Sequence, residues 1–286
     1  PRAGTPRLSP RTAIGTSVLL NLDILLLKSY FPEADSIGFY NGAMNLGKAP
    51  YFVFAAFSAT LLPVVSRAMQ QEGRAEAVTY ARRSVSYLAF ASIPVSVIVT
   101  MTPEQLLDFV YSRPYVAGAP ALVLLVVSMC GLSLLAVLQS VLTGAGRPGL
   151  ATGIVLVSVP TQLLAGIVLV PRLEMLGTAL ANLTTMILAV ALSSVATARI
   201  VGSVYDLRRL LKALAAAVPV AGGLHLLGDF PVPLVPVVYA VGMAVYGAGL
   251  VALGALRLAD LRRMLGGGPQ VPRPGALEDS PRREGR

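Results

Sequence analysis

Charge is scarce in this chain of 286 residues: 13% of its side chains are Asp, Glu, Lys or Arg, while 55% are apolar. Soluble domains carry roughly a quarter charged residues, so a water-exposed globule is excluded. Cysteine is almost missing. Cys130 stands alone inside an apolar run, which excludes a disulfide framework and a thiolate metal site. A single histidine, His225, is no metal site either and reads as interfacial packing rather than a proton relay. The chain also lacks a Walker phosphate loop, HExxH, GxSxG and paired carboxylates at helical spacing. Glu104, Asp108, Glu174 and Asp229 are scattered singly in the predicted outer loops, so a membrane glycosyl- or acyltransferase would have to work with those alone. No enzyme activity and no cofactor are expected.

What the chain has is long apolar runs. They are continuous for about twenty residues instead of alternating over ten, which predicts an all-α integral membrane protein with spanning helices and not a barrel. Eight spans are expected. The first covers about Ala13 to Phe31, and the second, Ser36 to Arg67, is the stretch around which the rest is expected to pack. A third, near Ser84 to Met101, is interrupted by Pro94. PEQLLDFVYSRPY follows as a short interfacial helix and turn, with Leu106, Leu107, Phe109 and Val110 placed to enter the headgroups. The fourth and fifth spans, about Ala117 to Thr143 and Leu150 to Val170, are joined by the turn GAGRPG. Leu176 to Ala198 is the sixth, a basic amphipathic segment VYDLRRLLKAL feeds a seventh ending near Leu227, and the eighth covers about Val235 to Leu256. In domain terms, residues 1–12 form a flexible arm, 13–200 a six-helix lobe, 201–257 the amphipathic segment with two extra helices, and 258–286 a disordered basic tail.

The net charge of +9 is a matter of topology. Nineteen of the 23 Lys and Arg residues fall in the arm, the tail and the links on one side, while Lys28, Arg113 and Arg172 fall on the other. The positive-inside rule then puts both termini in the cytoplasm, and no nucleic-acid partner is expected.

Lys48 lies some twelve residues inside the second span, where a charge costs ~2.5 to 3.5 kcal/mol on insertion scales. It therefore needs a partner or a wet cavity. Asn41, Asn45 and Lys48 sit at i, i+4 and i+7 on one face, and Asp23 of the antiparallel first span comes to a depth within ~6 Å of Lys48. Two readings stand side by side. Asp23 and Lys48 form an ion pair that pins two helices, or Lys48 binds an anionic substrate group while Asp23 sets its charge state or takes part in ion coupling. Asn21, Asn41 and Asn45 bind a polar substrate or act as interhelical glue. Gln139, Gln162 and Asn182 read as glue, and Gly38 with Gly42 as a step for close helix contact.

GFYNGAMNLGKAPYFVFAAFSATLLPVVSRA resembles the second helix of the C-terminal lobe in the polysaccharide-biosynthesis flippases. These are a branch of the multidrug/oligosaccharidyl-lipid/polysaccharide superfamily that also holds the lipid II flippases. DFVYSRPYVAGAPALVLLVVSM, LQSVLTGAGRPGLATGIVLV and VPRLEMLGTALANLTT resemble later parts of the same lobe, so that the likeness runs over about residues 20 to 200. It implies a MATE-like lobe of six helices plus the extra C-terminal pair of fourteen-helix members, with a missing N-terminal lobe supplying the other half of a central cavity. It further implies transport of a lipid-linked oligosaccharide diphosphate across a bacterial plasma membrane for cell-surface polysaccharide or cell-wall synthesis, without bond chemistry. Membrane lipids are the other partners. Substrate-binding candidates are Lys48, Asp23, Asn21, Asn41 and Asn45. Lipid II flippases carry more arginine on the matching helix, which favours an oligosaccharide or exopolysaccharide substrate. A cation-coupled drug exporter, the transferase above and a non-transporting fragment are the rival expectations.

Overall fold

The computed structural model describes residues 21–32, 35–67 and 74–255, together with Ser17. The expected arm, the basic tail and most of the first half of the first span lie outside the described residues. Among the described residues there are eight α-helices and no strand. They are α1 (Leu22–Tyr30), α2 (Ser36–Arg67), α3 (Arg74–Met101), α4 (Pro103–Val110), α5 (Ala119–Gly144), α6 (Pro148–Ile200), α7 (Leu207–Leu227) and α8 (Val235–Ala252). Short 3-10 turns occupy Arg113–Gly118 and Val232–Leu234.

Among the described residues, five stretches are long and apolar enough to cross a membrane: Ala77–Met101, Arg113–Gly144, Pro148–Ile200, Leu207–Leu227 and Val232–Ala252. The third of these makes two passes. Glu174 breaks the helix with φ 47° and ψ −122°, and the chain doubles back so tightly that a Cβ on Gly177 would overlap the Leu169 carbonyl oxygen. Three pairings, Ser128 with Asn182, Gly131 with Met186 and Gln139 with Ser193, rise together along both sequences. The second limb of α6 therefore runs parallel to α5, and the first limb returns between them in the chain.

The centre of the lobe is α5, not α2. Its 26 residues hold no charge and most are buried, and it packs against α2, α3, α4 and α6. In hydrocarbon there is no hydrophobic drive between helices, so close van der Waals fit decides which helix takes the middle. An uncharged helix that is apolar on every side can be surrounded by protein. By contrast α2 carries Asn41, Asn45 and Ala49 along an exposed stripe.

Three further expectations are corrected. Helix α3 is not interrupted at Pro94 but continues through it from Arg74 to Met101. Leu107 of α4 is fully buried against the lobe, while Phe109 and Val110 stay exposed. Gly38 faces open space, since a Cβ placed on it would meet nothing within 4 Å, whereas one on Gly47 would meet Leu125 of α5 at 3.3 Å. Gly42 does make a close contact, but with the ring of Tyr115, which would stand 2.8 Å from an added Cβ.

The last two helices hang on α3. Ala213, Ala216, Ala217, Val220 and Leu224 of α7 share a cluster with Phe90 and Ile98 of α3 and with Tyr246 and Leu250 of α8. A Cβ on Gly249 would lie 3.2 Å from Ala216, and one on Gly242 would lie 3.0 Å from Ile98 and 3.6 Å from Val220, so α7 and α8 run antiparallel on a seam of small residues. Arg82 of α3 donates to the Ser203 carbonyl at 2.8 Å and ties down the link that leads into α7.

A buried carboxylate beside an open polar face

Asp23 sits in the first turn of α1, where the unpaired N–H groups of a helix start favour a negative charge. Its Oδ1 accepts the Ile24 N–H at 2.9 Å. The side chain is 1% exposed, and its other oxygen is met from two more helices. Tyr40 of α2 donates its hydroxyl to Oδ2 at 2.9 Å, and Asn182, on the second limb of α6, donates Nδ2 to the same atom at 3.4 Å. The Oδ1 of Asn182 in turn accepts from the Ser128 hydroxyl of α5. One polar chain thus joins α1, α2, α5 and α6 through the middle of the lobe.

Lys48 acts on this carboxylate as a nearby positive charge, while the hydrogen bonds come from Tyr40, Asn182 and the backbone. It is half-buried at the edge of the α2 stripe. Asn41 and Asn45 are exposed on that stripe, two turns and one turn before Lys48, together with Gly38, Ala49 and Phe52. Asn21 is exposed as well and returns its amide to the Ser17 carbonyl at 2.8 Å. The structure therefore separates the five candidates. Asp23 is enclosed, Asn41 and Asn45 share an open face with Lys48 at its margin, and Asn21 bonds within its own stretch of chain.

Tyr40 is the residue that sequence reasoning missed. It precedes Asn41 by one position, so it points about 100° away from the stripe and toward α1. Its signal was available, because a hydroxyl-bearing side chain at the depth of Asp23 on the next helix is a natural donor. Asn182 bridges helices as its amide suggests. Gln139 donates to Ser193 at a long 3.5 Å. Gln162 is 1% exposed, and neither of its amide atoms has a partner among the described residues, so within them it does not act as glue. His225 is exposed in the last turn of α7. Among the described residues no group of three His, Cys, Asp or Glu side chains is placed to hold a metal ion.

A lobe of paired membrane helices with a polar seam and one open polar face is the setting for comparison with known proteins. The MatE family model matches residues 12–168, more than half of the chain. The chain belongs to the MatE family. The matched region holds α1 to α5 and most of the first limb of α6, and therefore Asp23, Tyr40 and the whole α2 stripe. An uncharacterized membrane protein of Methanocaldococcus jannaschii, MJ1068, is 26% identical over 169 residues, covering 58% of this chain and 33% of that protein. The solved structure of the lipid II flippase MurJ in an inward closed conformation superposes with a TM-score of 0.73 at 14% identity, over 88% of this chain and 53% of that one. That likeness is one of fold and gives this MatE member a multi-pass membrane architecture. The chain spans about half the length of the MurJ structure and a third of MJ1068.

Proposed function

We propose that this chain is one lobe of a flippase that moves lipid-diphosphate-linked oligosaccharides across the bacterial plasma membrane by alternating access, with both termini cytoplasmic. The observation that carries the reading is the open face of α2. Asn41, Asn45 and Lys48 lie along it inside a span, where polar groups turned to lipid are expensive. In a two-lobed transporter of this fold, that face is the side a partner lobe would enclose as a cavity. A cation there suits a diphosphate, and the two amides suit sugar hydroxyls. Asp23 is enclosed within the lobe, which suits an indirect part in binding. Held by Tyr40, it fixes α1 against α2 and supplies a counter-charge within reach of Lys48, which lowers the cost of keeping a cation in the membrane.

The family relationship supports transport, and Lys48 favours an anionic substrate over the cationic drugs of a multidrug exporter. The test is flipping of a fluorescent lipid-diphosphate oligosaccharide in proteoliposomes by the two-lobed protein and its Lys48→Ala variant, with folding checked for both. Losing a charge-assisted contact predicts flipping slower by roughly ten- to a hundredfold. Equal rates would return Lys48 to a structural role. No flipping by either protein would favour the exporter or transferase alternatives.

A further inference from the structure

Between the start of α7 and the end of α8 lies an open groove of about 570 Å³, lined by Leu207, Arg208, Leu211, Lys212, Ala215 and Leu253. Leu207, Leu211 and Ala215 recur every four residues and form an apolar strip along α7, with Leu207 67% and Leu211 56% exposed. Arg208 and Lys212 flank that strip one position on. The ammonium of Lys212 reaches the close of α8, 3.9 Å from where a Gly254 Cβ would sit, where the last carbonyls make a negative pole. Its position is thereby set toward the groove rim.

The acid nearest in sequence does not neutralise this rim. Asp206 is taken up by Arg209, whose Nε lies 3.2 Å from Oδ2 and whose backbone N–H donates to Oδ1 at 3.2 Å. What remains is an apolar trough with two cations beside it, Arg208 and Lys212, complementary to a molecule that has an acyl chain and an anionic head. The chain's own continuation is the wrong sign for it, since residues 256–286 hold seven arginines against four acidic residues. By the charge bias of the loops, this end of the bundle meets the cytoplasmic leaflet, whose anionic lipids attract basic segments.

We propose that this groove is a binding site for an anionic phospholipid of the bilayer, with its phosphate on Arg208 and Lys212 and an acyl chain along Leu207, Leu211 and Ala215. The site is independent of the substrate face on α2 and of the function proposed for it. Bound there, the lipid would wedge the start of α7 against the end of α8, the pair that touches the lobe chiefly through α3.

The protein is reconstituted in nanodiscs of phosphatidylcholine mixed with phosphatidylglycerol, released, and its retained lipids are counted by native mass spectrometry. Wild type is expected to retain phosphatidylglycerol preferentially. The Arg208→Gln/Lys212→Gln double variant is expected to bind it roughly thirtyfold more weakly, with phosphatidylcholine unchanged. Arg208→Lys should keep most of the preference, and Arg172→Gln, an exposed cation after the first limb of α6, should keep all of it. Equal retention of both lipids by wild type, or an unchanged preference in a folded double variant, overturns the proposal. So does phosphatidylglycerol binding that rises when residues 266–286 are removed, because the tail would then be the occupant.

Discussion

The lobe deals with polar side chains inside a membrane in two ways. At Asp23 the answer is enclosure: both carboxylate oxygens find donors, from Tyr40, Asn182 and the Ile24 backbone, and four helices are tied together in the process. Along α2 the answer is exposure, with Asn41 and Asn45 left open and Lys48 at the margin. The first arrangement is self-sufficient, and in the second the two amides stay open. On the function proposed above, the enclosed groups serve the fold, and the open ones serve something that is not part of the lobe. Substitutions on the two sides should therefore separate stability from transport.

The largest stability effect is expected for Asp23→Ala. It leaves the Tyr40 hydroxyl and the Asn182 amide as buried donors without an acceptor, each costing ~1 to 3 kcal/mol, and it also strips Lys48 of its counter-charge. The thermal midpoint in detergent should fall steeply and expression should drop. A midpoint within a degree or two of wild type would show that the network holds nothing together. Tyr40→Phe is milder. It removes one donor and leaves the carboxylate with Asn182 and the backbone, for a loss of ~1 kcal/mol, with transport falling only as far as stability does.

How much of this contrast is legible in the sequence depends on the kind of signal. The limits of α5 and of both limbs of α6 follow from continuous apolar runs punctuated by GAGRPG and by Pro171 with Arg172; the structure turns after α5 at the first and, for the second, two residues beyond Arg172, at Glu174. Asp23 and Lys48 are legible because charge in a span is rare. Their different settings, one enclosed and one at the margin of an open face, are not, since they depend on which of two similar faces each helix presents. Tyr40 looks like any aromatic in an apolar run until it is set at the depth of Asp23, and Asn182 meets Asp23 only because a separation of 159 residues along the chain is closed by folding back upon α1. The glycines mislead for a related reason. Gly38 and Gly42 have the spacing of a packing motif, yet Gly47 is the one turned to α5, because orientation about the helix axis and not spacing decides which glycine meets a neighbour. Likewise the central place of α5 follows from what it lacks, any polar stripe that must stay open, and that only becomes visible when all the helices are compared.

The smallest stability effect, and the sharpest test of the comparison, is expected for Asn45→Ala. Its side chain is exposed on the α2 stripe, and alanine is a better helix former by a few tenths of a kcal/mol, so the thermal midpoint should stay put or rise slightly. If that face is a substrate wall, flipping should still slow, by roughly five- to tenfold for one lost neutral hydrogen bond. Asn41→Ala, one turn away, should behave alike, and the two together should lose more than either. A variant that is stable and fully active would place Asn45 against lipid or a partner helix and not a substrate. A variant that is destabilised as much as Tyr40→Phe would mean that the open face is covered in the working protein by a tight protein contact, and the distinction between enclosed and open polar groups would then hold only for the lobe in isolation.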